Sequence, residues 1–260
     1  MTSPGTIDTT IEDNGLATVT INQPSKKNAA TFAMFEGVAE TFHSLGGNPD
    51  VRVILLTGEG DDFCSGADLG PGDGEEMSGV TRMRRIHRAP MAITECRQPV
   101  VARIDGVAVG AGLSMALACD LLIASDRSRF SAIFARRGLT VDCGMSWLLP
   151  RAVGFQKAKE MALLAGIIDA DEAADIGLVN RVVPQSDLDA EVKGVVDTLL
   201  GGPPIALGMT KNLINQSFNS TFAASLEAEG VAQNVNFATQ DVIEAGRAFK
   251  EKRPANFQGK

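Results

Sequence analysis

The sequence of 260 residues contains no tyrosine, one tryptophan and two histidines. The absence of tyrosine removes one common general acid from consideration. The histidines, His43 and His87, lie on predicted helices, and nothing in their spacing brings either of them to a serine. We therefore interpret both as surface or packing residues, and hydrolysis by a serine–histidine pair is not expected.

Cysteine is scarce as well. The four cysteines show neither the spacing of metal ligands nor the density of a disulfide framework, so we expect reduced thiols and no metal site. Neither Cys64 nor Cys143 has a histidine near it in the sequence. Both are therefore interpreted as small apolar wall residues rather than as nucleophiles.

The chain has no excess of positive charge and no long apolar run. Its net charge of −8 and pI near 4.9 argue against nucleic-acid binding, since that requires a basic surface that displaces counterions. A polyanionic ligand would have to meet a local patch, such as Lys26 with Lys27 or the cluster at 250–253. No apolar stretch reaches the ~18 residues of a membrane span, and the first residues are polar and acidic. We therefore expect a cytoplasmic protein that does not enter a membrane.

Short apolar runs bounded by turn residues alternate with amphipathic stretches, which is typical of parallel strands joined by crossover helices. The sequence thus predicts an α/β fold. The expected strands, rich in Val, Ile or Leu, are 17–22, 51–57, 100–104 and 121–124. Helices are expected at 30–45 and at 81–96, where Pro90 must kink or restart the helix.

From residue 154 onward almost only helices are predicted, and the last of them, 221–250, is expected to break near Gly230. Strands followed by helices indicate an α/β core with a helical C-terminal region. We place the core at 1–202 and the C-terminal helical region at 203–260. The second region cannot easily form a core of its own, so it should pack against the first or against another subunit.

A first glycine-containing turn occupies residues 60–69, Gly-Asp-Asp-Phe-Cys-Ser-Gly-Ala-Asp-Leu, directly after a predicted strand. Gly66 allows the backbone to expose the N–H of Ala67 at the carboxyl end of that strand, where ligands of open α/β sheets bind. The loop that follows, Gly70–Gly74 with Pro71, is expected to be mobile, as suits the entrance of a site.

A second glycine-rich turn, Asp-Gly-Val-Ala-Val-Gly-Ala-Gly-Leu-Ser, occupies 105–114 between a strand and a helix expected from about Ala111. Free N–H groups and the positive end of the helix dipole would face whatever precedes that helix. The glycines match neither a P-loop nor a dinucleotide fingerprint, so phosphate binding is set aside. Each turn alone is typical of an ordinary connector, but two converging amides are what an oxyanion hole for a thioester enolate requires.

Three further motifs accompany these turns: Cys-Asp-Leu-Leu-Ile-Ala-Ser at 119–125, Arg-Gly-Leu-Thr-Val-Asp-Cys-Gly-Met-Ser-Trp-Leu-Leu-Pro-Arg-Ala-Val-Gly at 137–154, and Gly-Leu-Val-Asn-Arg-Val-Val at 177–183. In this order, and over nearly the whole chain, they resemble the enoyl-CoA hydratase/isomerase family, also called the crotonase family. The resemblance implies a core built as a spiral of ββα turns, followed by helices that build trimers, often paired into hexamers. It also implies an acyl-CoA thioester substrate and no cofactor beyond the coenzyme A of that substrate.

The resemblance further implies roles for individual residues. The oxyanion donors would be the backbone N–H groups of Ala67 and Ala111. The acyl-CoA site would be lined by residues near the two turns: Lys27, Ser65, Gly66, Asp68, Leu69, Gly110, Gly112, Ser114 and Phe134.

The sequence departs from the hydratase pattern where family hydratases carry two glutamates over the reacting carbons. Ser114 and Phe134 occupy those positions, and neither can act as a carboxylate, so efficient hydration is not expected. Asp142 instead matches an aspartate of family isomerases, and its surroundings are most similar to the phenylacetate-type members. On residue type alone, Asp142 could also be the N-cap of a helix at 144–149.

We therefore expect an enoyl-CoA isomerase in which Asp142, partly desolvated by an apolar wall that contains Phe134, moves a proton between two carbons of the substrate. Other interpretations stay open. One is a hydratase in which Ser114 relays a proton, and another is a nucleophilic Asp142, as in the family's aryl-CoA dehalogenases. A non-catalytic relative that binds acyl-CoA or RNA is the last, although the acidic charge disfavours RNA.

Overall fold

The computed structural model describes residues 5–70 and 78–260, so residues 71–74 of the expected entrance loop lie outside the described residues. Its strands, in chain order, are β1 (Thr6–Ile11), β2 (Leu16–Asn22), β3 (Val53–Gly58), β4 (Val100–Ile104), β5 (Val107–Val109), β6 (Leu121–Ser125), β7 (Arg129–Ser131), β8 (Ile168–Asp169) and β9 (Arg181–Val183). Its α-helices are α1 (Phe32–Gly47), α2 (Gly79–Ile86), α3 (Arg88–Glu95), α4 (Ala111–Leu117), α5 (Met145–Val153), α6 (Phe155–Leu164), α7 (Ala170–Asp175), α8 (Leu188–Leu200), α9 (Pro204–Ser217), α10 (Phe222–Phe237) and α11 (Gln240–Glu251).

The larger sheet has the strand order β1-β2-β3-β4-β6-β9, in which only the β1–β2 pair is antiparallel. Side chains of its central strands point alternately to two apolar layers. One layer contains Ile54 and Leu56 together with α1, and the other contains Val53 and Val101 under α8. Because both faces are covered, these strands are nearly continuous apolar runs, which is why the sequence predicts them well.

A smaller sheet has the order β5-β7-β8, with β5 parallel to β7 and β7 antiparallel to β8. These strands have two or three residues each, too short to give an alternating pattern in the sequence. Their place is nevertheless important, because β5 begins directly after Gly106 of the second glycine turn and leads into α4.

The helices near the expected site follow the predicted segments with shifted boundaries. The segment 81–96 divides into α2 and α3, and the division falls at His87 rather than at Pro90. Pro90 lies in the first turn of α3, where its missing N–H removes no hydrogen bond within the helix.

The C-terminal helices contact the core through small and charged residues of α9. The Lys211 ammonium lies 2.8 Å from the Asp120 carboxylate, and Gly208 lies so close to the carbonyl of Arg97 that a Cβ there would be 2.7 Å from its oxygen. The predicted break near Gly230 is wrong. α10 continues through Gly230, and a new helix starts after Thr239, whose hydroxyl caps it by accepting from Val242 N.

No helix among the described residues combines the length and the apolar character that crossing a bilayer would require.

Candidate active site

The two glycine turns lie side by side, because the first turn pairs with the chain that forms β5. Phe63 N donates to Asp105 O at 2.8 Å and Cys64 N donates to Val107 O at 2.9 Å. Val109 N in turn donates to Cys64 O at 3.0 Å. The expected convergence of the turns therefore rests on a short parallel ladder that joins them.

Two glycines allow this close approach. Gly66 has φ +105°, and a Cβ on it would lie 3.0 Å from Val109 O and 3.7 Å from Ala111 N. A Cβ on Gly112 would lie only 2.2 Å from Cys64 O. Any side chain at Gly112 would consequently separate α4 from the first turn.

The amides of Ala67 and Ala111 are both unpaired with backbone carbonyls of the described residues. The chain at Ala67 pairs with Ala30 through its neighbours: Gly66 O accepts from Ala30 N, and Asp68 N donates to Ala30 O. Ala111 is the first residue of α4, so its N–H has no partner inside the helix. Within residues 5–70 and 78–260, neither amide donates to a backbone carbonyl.

The lysines near the first turn are already paired with carboxylates. Lys26 Nζ lies 2.6 Å from the Asp68 carboxylate, and Lys27 Nζ lies 3.5 Å from that of Asp62. Ser65 is fixed in the same region, since its hydroxyl donates to the carbonyl of Lys26 at 3.0 Å. Leu69, the last residue of the turn, is exposed. Any anion that binds here meets cations whose charge is largely balanced, although both lysine side chains are mostly exposed.

Asp142 does not cap a helix. It is the first residue of a tight turn in which Met145 N donates to Asp142 O at 2.9 Å, and the two central residues have positive φ, +49° at Cys143 and +84° at Gly144. The N-cap of α5 is Gly144, which has no side chain to cap the helix. A non-glycine residue with positive φ is strained, and such strain is typical of functional turns.

The carboxyl group of Asp142 lies in an apolar environment. Its Oδ1 is buried and has no hydrogen-bond partner among the described residues. Burial raises the pKa of Asp142 above its ordinary value, and the Cys143 thiol and the charge of His87 offset this only in part. A carboxylate with such a raised pKa is a better base than an exposed one.

Cys64 and Cys143 are buried thiols, in agreement with their interpretation as wall residues. Burial raises the pKa of Cys64 to about 12, and burial beside Asp142 raises the pKa of Cys143 as well. Both thiols are therefore protonated at neutral pH and unsuited to nucleophilic attack.

Asp142 faces a cavity of about 990 Å³. The cavity is lined mainly by α3, by the segment that leads to α5 and by α5 itself: Met83, His87, Pro90, Met91, Thr94, Glu95, Leu139, Thr140, Val141, Asp142, Cys143, Gly144, Ser146, Trp147, Leu148 and Asn219. The cavity is large enough for an acyl group, and most of its wall is apolar.

His87, which the sequence indicates as a surface or packing residue, lines this cavity. Its Nε2 is buried and, in the described part of the chain, without a hydrogen-bond partner, and its charge interacts with Asp142. It is therefore neither a surface residue nor a satisfied packing residue. The spacing Met83, His87, Met91 and Thr94 places these residues on one helical face and is the sequence signal that could have indicated the cavity.

Ser114 and Phe134 occupy the positions at which family hydratases carry glutamates, and both are buried. The Ser114 hydroxyl donates to Asp142 O at 3.1 Å and lies 3.3 Å from Gly110 O. The tip of the Phe134 ring would touch a Cβ on Gly110 at 4.0 Å, so the ring packs on the second turn. Ser114 therefore connects the helix that carries Ala111 to the turn that carries Asp142.

An α/β fold in which two glycine turns with unpaired amides lie side by side, and in which a hydrogen bond joins the second turn's helix to a turn with a half-buried carboxylate, is typical of enzymes that act on an activated carbonyl group. The family model described as enoyl-CoA hydratase/isomerase matches residues 11–260. The chain belongs to this family, and it is an enzyme of the enoyl-CoA hydratase/isomerase type that acts on acyl-CoA.

Curated relatives with different activities match almost the entire chain. A probable enoyl-CoA hydratase of Rhodobacter capsulatus is 37% identical over 247 residues, which cover 95% of each protein. The 1,2-epoxyphenylacetyl-CoA isomerase of Escherichia coli is 33% identical over 95% of this chain and 97% of its own length. The 4-chlorobenzoyl coenzyme A dehalogenase-2 of an Arthrobacter species is also 33% identical, over 95% of this chain and 88% of its own length.

Solved structures show the same fold. A protein of Streptomyces coelicolor A3(2) assigned as an enoyl-CoA hydratase superposes with a TM-score of 0.93 and 34% identity, over 98% of this chain and 94% of its own. A protein of Thermobifida fusca YX, in complex with CoA, superposes with a TM-score of 0.83 and 32% identity, over 89% of this chain and 93% of its own. These matches establish a crotonase-like α/β fold with a helical C-terminal region.

Proposed function

We propose that the protein moves a double bond within an enoyl-CoA thioester, with Asp142 as the proton carrier and the N–H groups of Ala67 and Ala111 as the oxyanion hole. The observation that carries this proposal is the state of Asp142. Its carboxyl group has a raised pKa, an unpartnered buried oxygen among the described residues and a place on the wall of a large apolar cavity. A carboxylate in this state is suited to accept a proton from a weak carbon acid.

The proton balance requires no further cofactor. The two amides bind the thioester oxygen, which makes a C2–H bond of a 3-enoyl-CoA labile. The proton moves to Asp142, and the electron pair spreads from C2 over the thioester and the double bond. Asp142 then returns the proton to C4, which leaves a 2-enoyl-CoA and an ionised Asp142.

The direct test is Asp142→Asn, with Asp175→Asn on an exposed position of α7 as the matched control. We expect Asp142→Asn to lower the conversion of 3-hexenoyl-CoA to 2-hexenoyl-CoA at least 100-fold, and we expect the control to retain full activity. Exchange of the C2 hydrogens of butanoyl-CoA with D2O, followed by NMR, measures proton abstraction separately from double-bond migration. Unchanged turnover of both substrates by Asp142→Asn would refute the role of Asp142.

Hydration of a 2-enoyl-CoA is the alternative that several relatives represent. The buried Ser114 hydroxyl donates to a carbonyl and is poorly placed to relay a proton to water. Glu95, however, also lines the cavity and is a carboxylate that the sequence pattern does not indicate. Hydration of crotonyl-CoA removes its conjugated absorbance, so the rate of this loss shows whether the wild type is a hydratase. A slower loss with Glu95→Gln would show that Glu95 takes part.

A second candidate function is nucleophilic substitution on an aryl-CoA, which the presence of His87 favours. The Asp142 carboxylate would bond to the ring carbon that carries chlorine and displace chloride, which gives an aryl ester of the enzyme. His87 would then take a proton from water, and the hydroxide would cleave the ester to release the hydroxyaryl-CoA and restore Asp142. Chloride release from 4-chlorobenzoyl-CoA measures this activity. A mass increase of the protein by one aroyl-CoA group after a single turnover would identify the intermediate.

The assembly of C-terminal helices into trimers is also part of the proposal. These helices present large exposed apolar side chains to solvent, namely Ile214, Phe218, Phe222, Leu226, Val231, Phe237, Ile243 and Phe249. Such a surface on a single chain is typical of a face that another subunit covers.

A further inference from the structure

Ser114 has an environment that the proposed chemistry does not use. Its side chain is fully buried, and its hydroxyl lies within reach of two backbone carbonyls, that of Gly110 at 3.3 Å and that of Asp142 at 3.1 Å. The shorter contact, to Asp142 O, joins α4 to a segment that is distant in sequence. The same carbonyl accepts from Met145 N at 2.9 Å. Two donors from different elements therefore hold one carbonyl, that of the residue that carries the proton.

The turn that carries Asp142 requires such support. Cys143 has φ +49° without being a glycine, and this conformation persists only where surrounding contacts maintain it. Met145 N closes the turn from within, but it does not fix the position of the turn relative to the rest of the site. The bond from Ser114 is a contact that does fix it.

Ser114 lies on the same helix as Ala111, one turn after it. In a helix, residues separated by three positions lie on the same side, about one turn apart. A displacement of the Asp142 turn would therefore change the distance between the base and the Ala111 amide.

We propose that Ser114 is a positioning residue, which holds the Asp142 turn at a fixed distance from the oxyanion-hole helix α4. The inference rests on the proposed function of Asp142, but it concerns a residue with no acid or base role of its own. It gives a physical reason for a serine at a position where hydratases of the family carry a glutamate.

The matched control is Ser128→Ala. Ser128 is as fully buried as Ser114, and its hydroxyl donates to the carbonyl of Ile104 at the same distance of 3.1 Å. Each hydroxyl has a second polar neighbour, Gly110 O at 3.3 Å from Ser114 Oγ and Ser125 Oγ at 3.1 Å from Ser128 Oγ. Both substitutions therefore remove a buried hydroxyl with two polar neighbours, and their effects on thermal unfolding should be similar. Only Ser114→Ala should affect catalysis.

We expect Ser114→Ala to slow the turnover of bound 3-hexenoyl-CoA about 10-fold to 100-fold and to change KM less than about twofold. In the Asp142→Asn background, the same substitution should lower the residual rate no further, because the group that it positions is absent. The proposal would be overturned if Ser114→Ala lowered turnover by the same factor in the wild-type and in the Asp142→Asn background. It would also be overturned if Ser114→Ala and Ser128→Ala had the same turnover.

A measurement without turnover separates this inference from the proposed function. The infrared difference spectrum between the wild type and Asp142→Asn, recorded as a function of pH, reports the ionisation of the Asp142 carboxyl group. Ser114→Ala should lower the pKa of this carboxyl group towards its ordinary value, because a displaced turn admits water, whereas Ser128→Ala should leave it unchanged. If the wild type fails to move double bonds but the shift occurs, only the proposed function fails; if isomerisation is shown and the shift is absent, only the role of Ser114 fails.

Discussion

At the scale of single residues, the burial of Asp142 suits the base that we propose and costs stability at neutral pH. Its pKa is raised in the folded chain, so the folded state binds the proton more tightly than the unfolded state, in which the pKa is about 3.9. The contribution of Asp142 to stability is therefore fully present below about pH 3.9 and is lost as the pH rises through the folded pKa.

It follows that Asp142→Asn should be more stable than the wild type at neutral pH. The amide has nearly the same shape and carries no charge that must be desolvated. We expect a higher Tm for the variant at pH 7 and a difference that shrinks as the pH is lowered towards 4, measured by calorimetry. A variant that is less stable at pH 7 would contradict the desolvated state of the carboxylate.

The charge of His87 acts on Asp142 in the opposite direction to burial and lowers its pKa. His87→Gln removes this charge, so the pKa of Asp142 should rise. The acid limb of kcat/KM should then move to higher pH, because the base is ionised only above its pKa. His43→Gln, on an exposed position of α1, is the control, and an acid limb that does not move in His87→Gln would show that the two groups are not coupled.

At the scale of elements, the contact between α4 and the first glycine turn leaves no room for a side chain at Gly112. A Cβ on Gly112 would lie 2.2 Å from a backbone oxygen of Cys64, and neither backbone can yield without moving the Ala111 amide. Gly112→Ala should therefore destabilise the fold by about 1–3 kcal/mol and lower isomerisation ~100-fold or more.

The control for this prediction is Gly194→Ala in the interior of α8, where a Cβ would meet nothing within 4 Å. Alanine is favoured over glycine in a helix, so this variant should gain roughly 0.5–1 kcal/mol and keep its activity. Chemical denaturation and the isomerisation assay measure both effects. If Gly112→Ala and Gly194→Ala had the same stability and the same isomerisation rate, the close contact at Gly112 would not constrain the site.

The elements that the sequence predicts well are those whose pattern is set by burial on a sheet. The segments 17–22, 100–104 and 121–124 agree closely with β2, β4 and β6, because their side chains are buried on one or both faces. The strands of the smaller sheet escape prediction, since two or three residues show no periodicity. The break expected at Gly230 fails for another reason: a glycine can remain helical, and the start of α11 is set by the cap at Thr239.

For the candidate site too, features with a local sequence pattern are predicted, and contacts between distant segments are not. The turns at 60–69 and 105–114 carry local glycine signals, and the structure brings them together. The neighbourhood of His87 with Asp142 depends on how α3 and the segment before α5 pack across the cavity. No local pattern records such a contact between distant segments, so it becomes visible only in three dimensions.

At the scale of the whole molecule, the exposed apolar side chains of the C-terminal helices determine the expected assembly. Phe222 on α10 and Phe249 on α11 are 80% and 85% exposed, and a single chain gains nothing by leaving such rings in water. If these helices meet another subunit, sedimentation should give three or six times the chain mass of 27.3 kDa.

Phe222→Asp places a charge on that face and should shift the protein towards the monomer at micromolar concentration, because an unpaired charge is costly to bury. Ile11→Asp, at the end of the edge strand β1, adds the same charge at another exposed apolar position and should leave the assembly intact. A Phe222→Asp variant that sediments like the wild type would mean that α10 lies outside the contact. Activity measured on the same samples then shows whether the site of one chain requires its neighbours, since a monomer that still isomerises 3-hexenoyl-CoA at the wild-type rate has a complete site within a single chain.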